Sequence, residues 1–115
     1  MHIGKRTLPT WAERSHFSYE GAVNNGTVIH YGTDYRYSAQ VNQDQYRKLL
    51  AHFAGKTVSI GTSRDIAPAG SLGKWLQENV TPTALASYVG SILVYEGYAE
   101  RKIRFGFCKS QRKDS

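Results

Sequence analysis

Residues 71–97 constrain the fold more than any other stretch, because they read as two amphipathic helices with almost no chain between them. In the first helix, Leu72, Trp75 and Leu76 recur at helical spacing, and Ser71 is a favourable N-cap. Two helices joined by so short a turn cannot lie antiparallel. They are expected to cross steeply, as in a helix-turn-helix.

The second helix of this pair is predicted over residues 82–96. Thr81 is its expected N-cap, and Pro82 occupies the first helical position, where proline is favoured. Gly97 is expected to end the helix, since glycine readily adopts the left-handed conformation of a C-terminal cap. The apolar stripe of this helix consists of Leu85, Val89, Ile92 and Leu93.

The length and charge of the chain favour a single domain with an anionic partner. The sequence has 115 residues and a formal charge of +6, and nucleic acid is the commonest partner of such a basic chain. Cys108 is the only cysteine, which excludes an intramolecular disulfide and favours a reducing, cytoplasmic location. No apolar run reaches the length of a signal peptide or a membrane span, so we expect no membrane association.

The N-terminal part is predicted to contain a β-hairpin. Residues 1–10 are polar and basic and are expected to form a flexible arm. Residues 11–41 are rich in β-branched and aromatic side chains, which suit a strand. The Asn-Gly dipeptide at residues 25–26 is a strong type I′ turn signal, and a turn centred there pairs Gly21 with His30. The second strand is predicted to continue through Tyr31, Tyr35 and Tyr37.

A third helix and two short strands complete the prediction. Asn42, with Gln45 three residues later, indicates a capped helix that Gly55 closes. Strands are expected at residues 57–61 and 98–107, and residues 108–115 are expected to form a disordered basic tail. The apolar positions of the capped helix are Tyr46, Leu49, Leu50 and Phe53.

From Asn42 onward the predicted order is helix, strand, helix, turn, helix, strand. With the Glu-Gly-Tyr step that closes the last helix at residues 96–98, this order resembles the winged-helix family of DNA-binding domains over residues 42–107. The resemblance implies an α+β fold in which the N-terminal β-hairpin packs on a three-helix, winged-helix-like module with a short sheet. It also implies non-catalytic binding of double-stranded DNA. The last helix carries no Lys or Arg, so we expect modest sequence specificity.

The expected DNA contacts lie on the last helix and around it. The outward face of that helix is expected to consist of the small residues Thr83, Ser87, Gly90 and Ser91. Such a face would allow close approach to phosphates or base edges, although small residues equally suit close packing against another element. The densest basic run, in the last strand and tail, would contact phosphates. The predicted nucleic-acid-binding residues are Arg64, Lys74, Thr81, Thr83, Ser87, Ser91, Arg101, Lys102 and Arg104.

Two other functions fit the same residues. A protein-interaction or oligomerisation module would use the tyrosine-rich hairpin as its contact surface, and an unpaired hairpin edge would allow strand pairing between copies. A nucleic-acid-processing component would use the loop that carries Arg64 and leads to Lys74. We expect no catalytic set, no cofactor and no metal site, because no ligand spacing links His2, His16, His30 and His52.

Overall fold

The computed structural model describes residues 5–61 and 70–100 and shows an α+β fold, with a four-stranded antiparallel sheet followed by three helices. The elements in chain order are β1 (Arg6–Pro9), β2 (His16–Ala22), β3 (Gly26–Tyr31), a short 3₁₀ helix (Thr33–Tyr35), β4 (Tyr37–Asn42), α1 (Gln43–Phe53), α2 (Leu72–Asn79) and α3 (Ala86–Tyr95).

The sheet is larger than the predicted hairpin. Its strands pair in the order β1-β2-β3-β4, so that each strand lies beside its neighbour in sequence. Residues 6–9, predicted to belong to a flexible arm, form β1 and pair with β2, where Leu8 lies opposite Phe17. Leu8 faces the core, and burial of its apolar side chain stabilises the pairing of this short strand with the sheet. The prediction of a loose arm is therefore wrong for these four residues.

The register of the β2–β3 hairpin differs from the predicted one. Residues 23–25 form a three-residue connection, and Gly21 pairs with Thr27 instead of His30. Gly26 has the expected positive φ, at 99°, but it is the first residue of β3 and not the second residue of a two-residue turn. The wider connection turns the N–H of residue 23 toward a carboxylate on the last helix turn, as described below.

The strand predicted to run on through Tyr35 and Tyr37 ends at Tyr31. The chain reverses through Gly32, whose φ is 84°, and through the 3₁₀ helix, where Tyr35 has a φ of 53°. Tyr37 then starts β4 directly opposite Tyr31. The prediction of one long strand is wrong because the backbone at these two positive-φ positions cannot remain extended.

Helix α1 follows its prediction closely. The Asn42 side chain accepts a hydrogen bond from the Gln45 N–H at 2.8 Å, and the Gln45 side chain accepts one from the Asn42 N–H at 2.9 Å. This reciprocal capping box is confirmed, and Gly55 has the expected positive φ of 73° just after the helix. Helix α2 also begins as predicted, with the Ser71 hydroxyl accepting a hydrogen bond from the Lys74 N–H at 3.1 Å.

The strand predicted at residues 57–61 does not form. Within it only Thr57 makes an isolated bridge, residues 58–61 have no ladder pairing, and Gly61 has a φ of 64°. The carbonyls of Ser59 and Ile60 instead accept hydrogen bonds from the N–H groups of Leu72 and Gly73, both at 3.0 Å. These donors belong to the first turn of α2 and have no partner within the helix, so the carbonyls of residues 59–60 satisfy them.

The connection between α2 and α3 is longer than predicted. Helix α3 begins at Ala86, and residues 80–85 separate it from α2. The Thr81 hydroxyl accepts only from the Thr83 N–H, at 3.4 Å, so Thr81 does not cap the helix and Pro82 is not in its first turn. The predicted short helix-turn-helix connection is therefore wrong. Leu85, immediately before α3, is buried, and its burial fixes where the helix starts.

The end of α3 agrees with the prediction. Gly97 has a φ of 90°, and its N–H donates to the carbonyl of Val94 at 3.1 Å. The N–H of Tyr98 donates to the carbonyl of Leu93 at 2.8 Å, which completes a Schellman cap. Most of the strand predicted at residues 98–107 lies outside the described residues, as do residues 1–4 and 108–115.

One hydrophobic core lies between the inner face of the sheet and the three helices. Trp75, predicted to belong to this core, is only partly buried and packs against its edge. In residues 5–61 and 70–100 the sheet precedes all three helices, and no winged-helix topology is seen. None of the helices described is long and apolar enough to cross a membrane. The predicted core residues that are buried are Leu49, Phe53, Leu76, Leu85, Val89 and Ile92.

Candidate functional site

The predicted DNA-binding residues do not gather on one described surface. Four of them, Arg64, Arg101, Lys102 and Arg104, lie outside the described residues. Lys74 lies on α2, where its Nζ is 3.6 Å from the Glu78 carboxylate. The remaining four lie in the α2–α3 connection, which carries Thr81 and Thr83, or on α3, which carries Ser87 and Ser91.

Part of the small face of α3 is packed against other segments of the chain. The carbonyl of Ser87 accepts hydrogen bonds from the Trp11 N–H and from the Ser91 hydroxyl, both at 3.1 Å. Gly90, predicted to face outward, is buried, and a Cβ there would lie 2.6 Å from Ile60 Cδ1 and 3.1 Å from the Trp11 ring. At Gly90 the face is closed, because Trp11 and Ile60 occupy the space that the glycine leaves, whereas Ser87 and Ser91 are partly exposed and Thr83 is exposed, so their predicted contact with DNA stays a prediction.

Lys74 borders a cleft between α1 and α2. The cleft has a volume of about 360 Å³, and its wall includes His52, Trp75 and Glu78. The His52 ring lies edge-on to Phe53, with 4.7 Å between ring centroids, and 6.3 Å from Trp75. Because Glu78 pairs with Lys74, this cleft presents no concentrated positive charge to an anion.

The most distinctive described surface is a tyrosine groove between the end of the sheet and the α2–α3 connection. It has a volume of about 380 Å³, and none of its lining residues is charged. Tyr37 is 54% exposed, which makes it one of the largest apolar surfaces that the described chain offers to solvent. The tyrosine groove is lined by Tyr31, Gly32, Tyr37, Pro82, Thr83, Ala84 and Tyr88.

Stacking holds the three rings of the tyrosine groove in place. The ring of Tyr31 stacks on that of Tyr37, with centroids 5.7 Å apart and an interplanar angle of 29°. On its other side Tyr31 stacks on Tyr88 of α3, at 5.0 Å and 29°. Tyr88 in turn meets the fully buried Phe17 edge-on at 5.1 Å. The exposed ring of Tyr37 is thus connected to the core through a continuous row of aromatic contacts.

The turn before β4 explains how Tyr37 reaches this position. Gly32 has a φ of 84°, a conformation that residues with a Cβ rarely adopt. A Cβ at Gly32 would also lie 2.6 Å from Cδ2 of the Tyr37 ring. Glycine at this position therefore serves two purposes: it allows the reversal of the chain, and it leaves room for the Tyr37 ring against Tyr31.

The tyrosine groove adjoins an open sheet edge. β4 is the last strand of the sheet, and no other described strand pairs with its outer side. It contains no charged residue and no proline along its length, from Tyr37 to Asn42. Charges, prolines and short length are the features that usually keep an edge strand from pairing with another chain. The β4 edge lacks all three of these protections.

The β1 edge, by contrast, is protected. β1 has only four residues and ends at Pro9, which has no N–H to donate. The guanidinium of Arg6 folds back over the sheet, where it donates to the carbonyl of Gly21 and lies 4.5 Å from the centroid of the Tyr19 ring. The sheet therefore has one edge that resists pairing and one that allows it.

A partly buried polar cluster joins the sheet to the end of α3. The Glu96 carboxylate accepts a hydrogen bond from the Tyr19 hydroxyl at 2.6 Å and another from the Val23 N–H at 3.0 Å. Arg6 lies 3.8 Å from the same carboxylate. Burial raises the pKa of the Tyr19 hydroxyl, and the hydrogen bond to Glu96 raises it further. Sequence reasoning missed this cluster, since 77 positions separate Tyr19 from Glu96.

The outer face of the sheet carries one close pair of titratable groups. His30 Nε2 lies 2.8 Å from a carboxylate oxygen of Glu20, and Ser18 lies opposite His30 on the neighbouring strand. The Ser18 hydroxyl is buried without a hydrogen-bond partner. Among residues 5–61 and 70–100, no group of three or more His, Cys, Asp or Glu side chains could hold a metal ion.

Positive charge is distributed unevenly along the sequence. The described residues carry eight Lys or Arg and seven Asp or Glu, so this part of the chain is close to neutral. Residues 101–115 carry six Lys or Arg and one Asp. Most of the formal charge of +6 therefore belongs to the last fifteen positions and not to the surface around α3.

Comparisons with protein-family models, with curated proteins and with solved structures found no match.

Proposed function

We propose that the chain is a non-catalytic protein-interaction module whose contact surface is the tyrosine groove together with the adjoining β4 edge. Tyr37 is the observation that carries the proposal: it is 54% exposed, forms one wall of the groove and is the first residue of the open strand. A partner strand that pairs with β4 would therefore run past the mouth of the groove. Main-chain hydrogen bonds would supply affinity, and the groove would select one side chain of the partner.

The properties of the groove favour a protein partner. Tyrosine is enriched in protein interfaces, because its ring offers a large apolar area and its hydroxyl can form hydrogen bonds. The rings of Tyr31, Tyr37 and Tyr88 already stack on one another, so binding would immobilise few additional rotamers. Because the lining is uncharged, we expect the groove to prefer an uncharged apolar or aromatic side chain.

The proposal is tested with an array of immobilised extended peptides that differ in one central side chain. The intact 115-residue chain is expected to bind peptides with an uncharged apolar or aromatic centre, and Tyr37→Ser is expected to remove that binding. Tyr95→Ser is the matched control, because Tyr95 is 58% exposed but does not line the groove. Equal loss in both variants, or no peptide binding by the intact chain, would contradict the proposal.

Binding of double-stranded DNA is the second candidate function. It is supported by the concentration of positive charge in residues 101–115, which gives a phosphate-binding segment that does not depend on α3. On this proposal Lys102→Ala and Arg104→Ala each weaken duplex binding similarly for all sequences, and each lowers the salt slope by about one unit. Lys56→Ala, an exposed change on the near-neutral part of the chain, is the control.

The decisive measurement for this candidate is a fluorescence-anisotropy titration of duplex DNA at low salt. The absence of binding at micromolar protein would remove the candidate. Ser87→Ala is expected to leave sequence preference unchanged, because Ser87 lies beneath the Trp11 backbone and is only partly exposed. A change of preference in that variant would restore α3 as the contact surface.

A further inference from the structure

We infer that the partner of the β4 edge is a second copy of this chain, joined in an antiparallel pair whose two-fold axis passes through Gln40. The inference rests on the proposed function and names the partner of the β4 edge; in this register Gln43 of the second copy lies opposite Tyr37, so the tyrosine groove remains free for an apolar side chain of another partner. Two copies that pair in this way form one continuous eight-stranded sheet, with both helical layers on the same side. The contact uses the same surface of each copy, as two-fold dimers do.

The side chains of β4 match themselves in this register. On the core side of the sheet, Ala39 of one copy faces Val41 of the other, so an apolar residue meets an apolar one. On the outer side, Ser38 faces Asn42 and Gln40 faces its own copy, so polar residues meet polar ones. The assignment of sides follows from the pairing of Val41 with the buried Thr27 and of Gln40 with Val28. Cross-strand matches of this kind stabilise antiparallel pairs.

The charges that flank β4 are also complementary in this register. Arg36, which is exposed and directly precedes the strand, and Asp44, in the first turn of α1, lie four positions on either side of Gln40, so the two-fold axis brings the Arg36 end of one strand to the Asp44 end of the other. The two-fold axis produces this pair of opposite charges twice. Asp44 is about half exposed, and its carboxylate contacts Arg47 and, at 3.3 Å, Lys48 of its own helix, so Arg36 of the other copy would join a solvent-exposed cluster of ion pairs. No like charges meet along the strand, because β4 itself carries none.

The two edges of the sheet predict a dimer and not a longer assembly. In the sheet that residues 6–42 form, each copy has one open edge, and the dimer uses it, which leaves the protected β1 strands at both ends. The paired segment, residues 38–42 of each copy, is short and buries less surface than a standard interface, so we expect a dissociation constant in the micromolar range. In analytical ultracentrifugation between about 1 and about 100 µM, the mass should rise from 12.9 kDa toward twice that value.

The first variant places like charges on the two-fold axis. Gln40→Lys sets two ammonium groups opposite each other and is expected to raise the dissociation constant about fivefold or more. Because Gln40 is exposed in the single copy, the variant should remain folded. Ser59→Lys adds the same charge at another exposed position outside the sheet and should leave the dissociation constant unchanged.

A pair of charge reversals tests the register itself. Arg36→Glu alone brings two acidic groups together at each end of the strand pair, and Asp44→Arg alone brings two basic groups together. Each variant is expected to be monomeric by itself. An equal mixture of the two should dimerise, because both oppositely charged contacts are restored in the mixed pair. Misfolding of either variant could not produce this recovery.

Three outcomes overturn the inference: a monomer at about 100 µM, a dimer that Gln40→Lys does not weaken, or a mixture of the charge-reversed variants that stays monomeric. The peptide array separates this failure from failure of the proposed function. If the chain is a monomer that still binds peptides through Tyr37, only the inference that a second copy is the partner is refuted. A monomer that binds no peptide loses both proposals.

Discussion

The hydrogen bond between Tyr19 and Glu96 is the most sharply testable stabilising contact in the fold. Tyr19 is fully buried, and its hydroxyl lies 2.6 Å from a carboxylate oxygen of Glu96. Tyr19→Phe removes this hydroxyl and retains the ring. The change therefore isolates one contact between β2 and the end of α3, with no large cavity and no change of charge.

The expected magnitude follows from the chemistry of the acceptor. Hydrogen bonds to charged groups contribute about 1.5–3 kcal/mol, more than bonds between neutral groups. Glu96 would keep the bond from the Val23 N–H and the nearby guanidinium of Arg6, so its carboxylate would remain partly satisfied. We therefore expect the free energy of unfolding to fall by about 1.5–2 kcal/mol, in the lower part of that range.

Urea denaturation followed by tryptophan fluorescence measures this change, since Trp11 and Trp75 both pack against the core. Tyr37→Phe is the matched control, because its hydroxyl belongs to a side chain that is 54% exposed, and its effect should stay within about 0.5 kcal/mol. If Tyr19→Phe were as neutral as this control, the hydrogen bond between Tyr19 and Glu96 would not contribute to the stability of the fold.

Three further predictions concern stability. Burial raises the pKa of both Tyr19 and Tyr46, so their contribution to the free energy of unfolding is fully present below the ordinary tyrosine pKa. Above pH of about 10 the free energy of unfolding should fall by up to about 1.4 kcal/mol per pH unit for each residue, and urea titrations at high pH should show a smaller fall in Tyr46→Phe. Gly21→Ala should lower the free energy of unfolding in urea by more than about 2 kcal/mol, because φ is 91° and the new Cβ would lie 2.3 Å from the Gly26 carbonyl oxygen. Gly70→Ala, where φ is 80° but the Cβ would meet no atom within 4 Å, should lower it by about 1 kcal/mol. Leu76→Ala should cost about 2–5 kcal/mol in the same assay, and a change within about 0.5 kcal/mol of neutral would contradict its burial.

The features predicted correctly depend on residues close in sequence. The capping box of Asn42 and Gln45, the Ser71 cap and the Gly97 terminus each involve backbone groups within a few positions. Apolar spacing likewise located the buried faces of the helices, because a helix must turn its apolar stripe toward the core. Such signals remain valid whatever the rest of the chain does.

The features predicted wrongly depend on contacts between distant residues. The three-residue β2–β3 connection includes a hydrogen bond from the Val23 N–H to Glu96, a contact that no local turn signal contains. The small face of α3 suited either an open surface or close packing, and Trp11, which lies far away in sequence, decided for packing at Gly90. The Thr-Pro dipeptide at residues 81–82 is a typical helix start, but α3 begins at Ala86, directly after the buried Leu85.

The tyrosine groove was predictable only in part. The density of tyrosines in residues 31–37 indicated a contact surface, and that interpretation remains a proposal. The groove itself needs Pro82 and Tyr88, about fifty positions later, and it needs the chain reversal at Gly32 that turns Tyr37 back toward Tyr31. Neither the partner elements nor the reversal can be read from the spacing of the tyrosines.

The strictly sequential strand order has a consequence for synthesis on the ribosome. Residues 6–42 contain every strand of the sheet, and each strand pairs with its neighbour, so the sheet can form early in translation. The inner-face side chains of Phe17, Tyr19 and Ile29 cannot be fully buried until α3 has been synthesised, because α3 and Glu96 follow them by more than fifty residues. Until then the apolar inner face of the sheet is accessible to chaperones and to association with other chains. This exposure ends when α3 and Glu96 pack against the sheet.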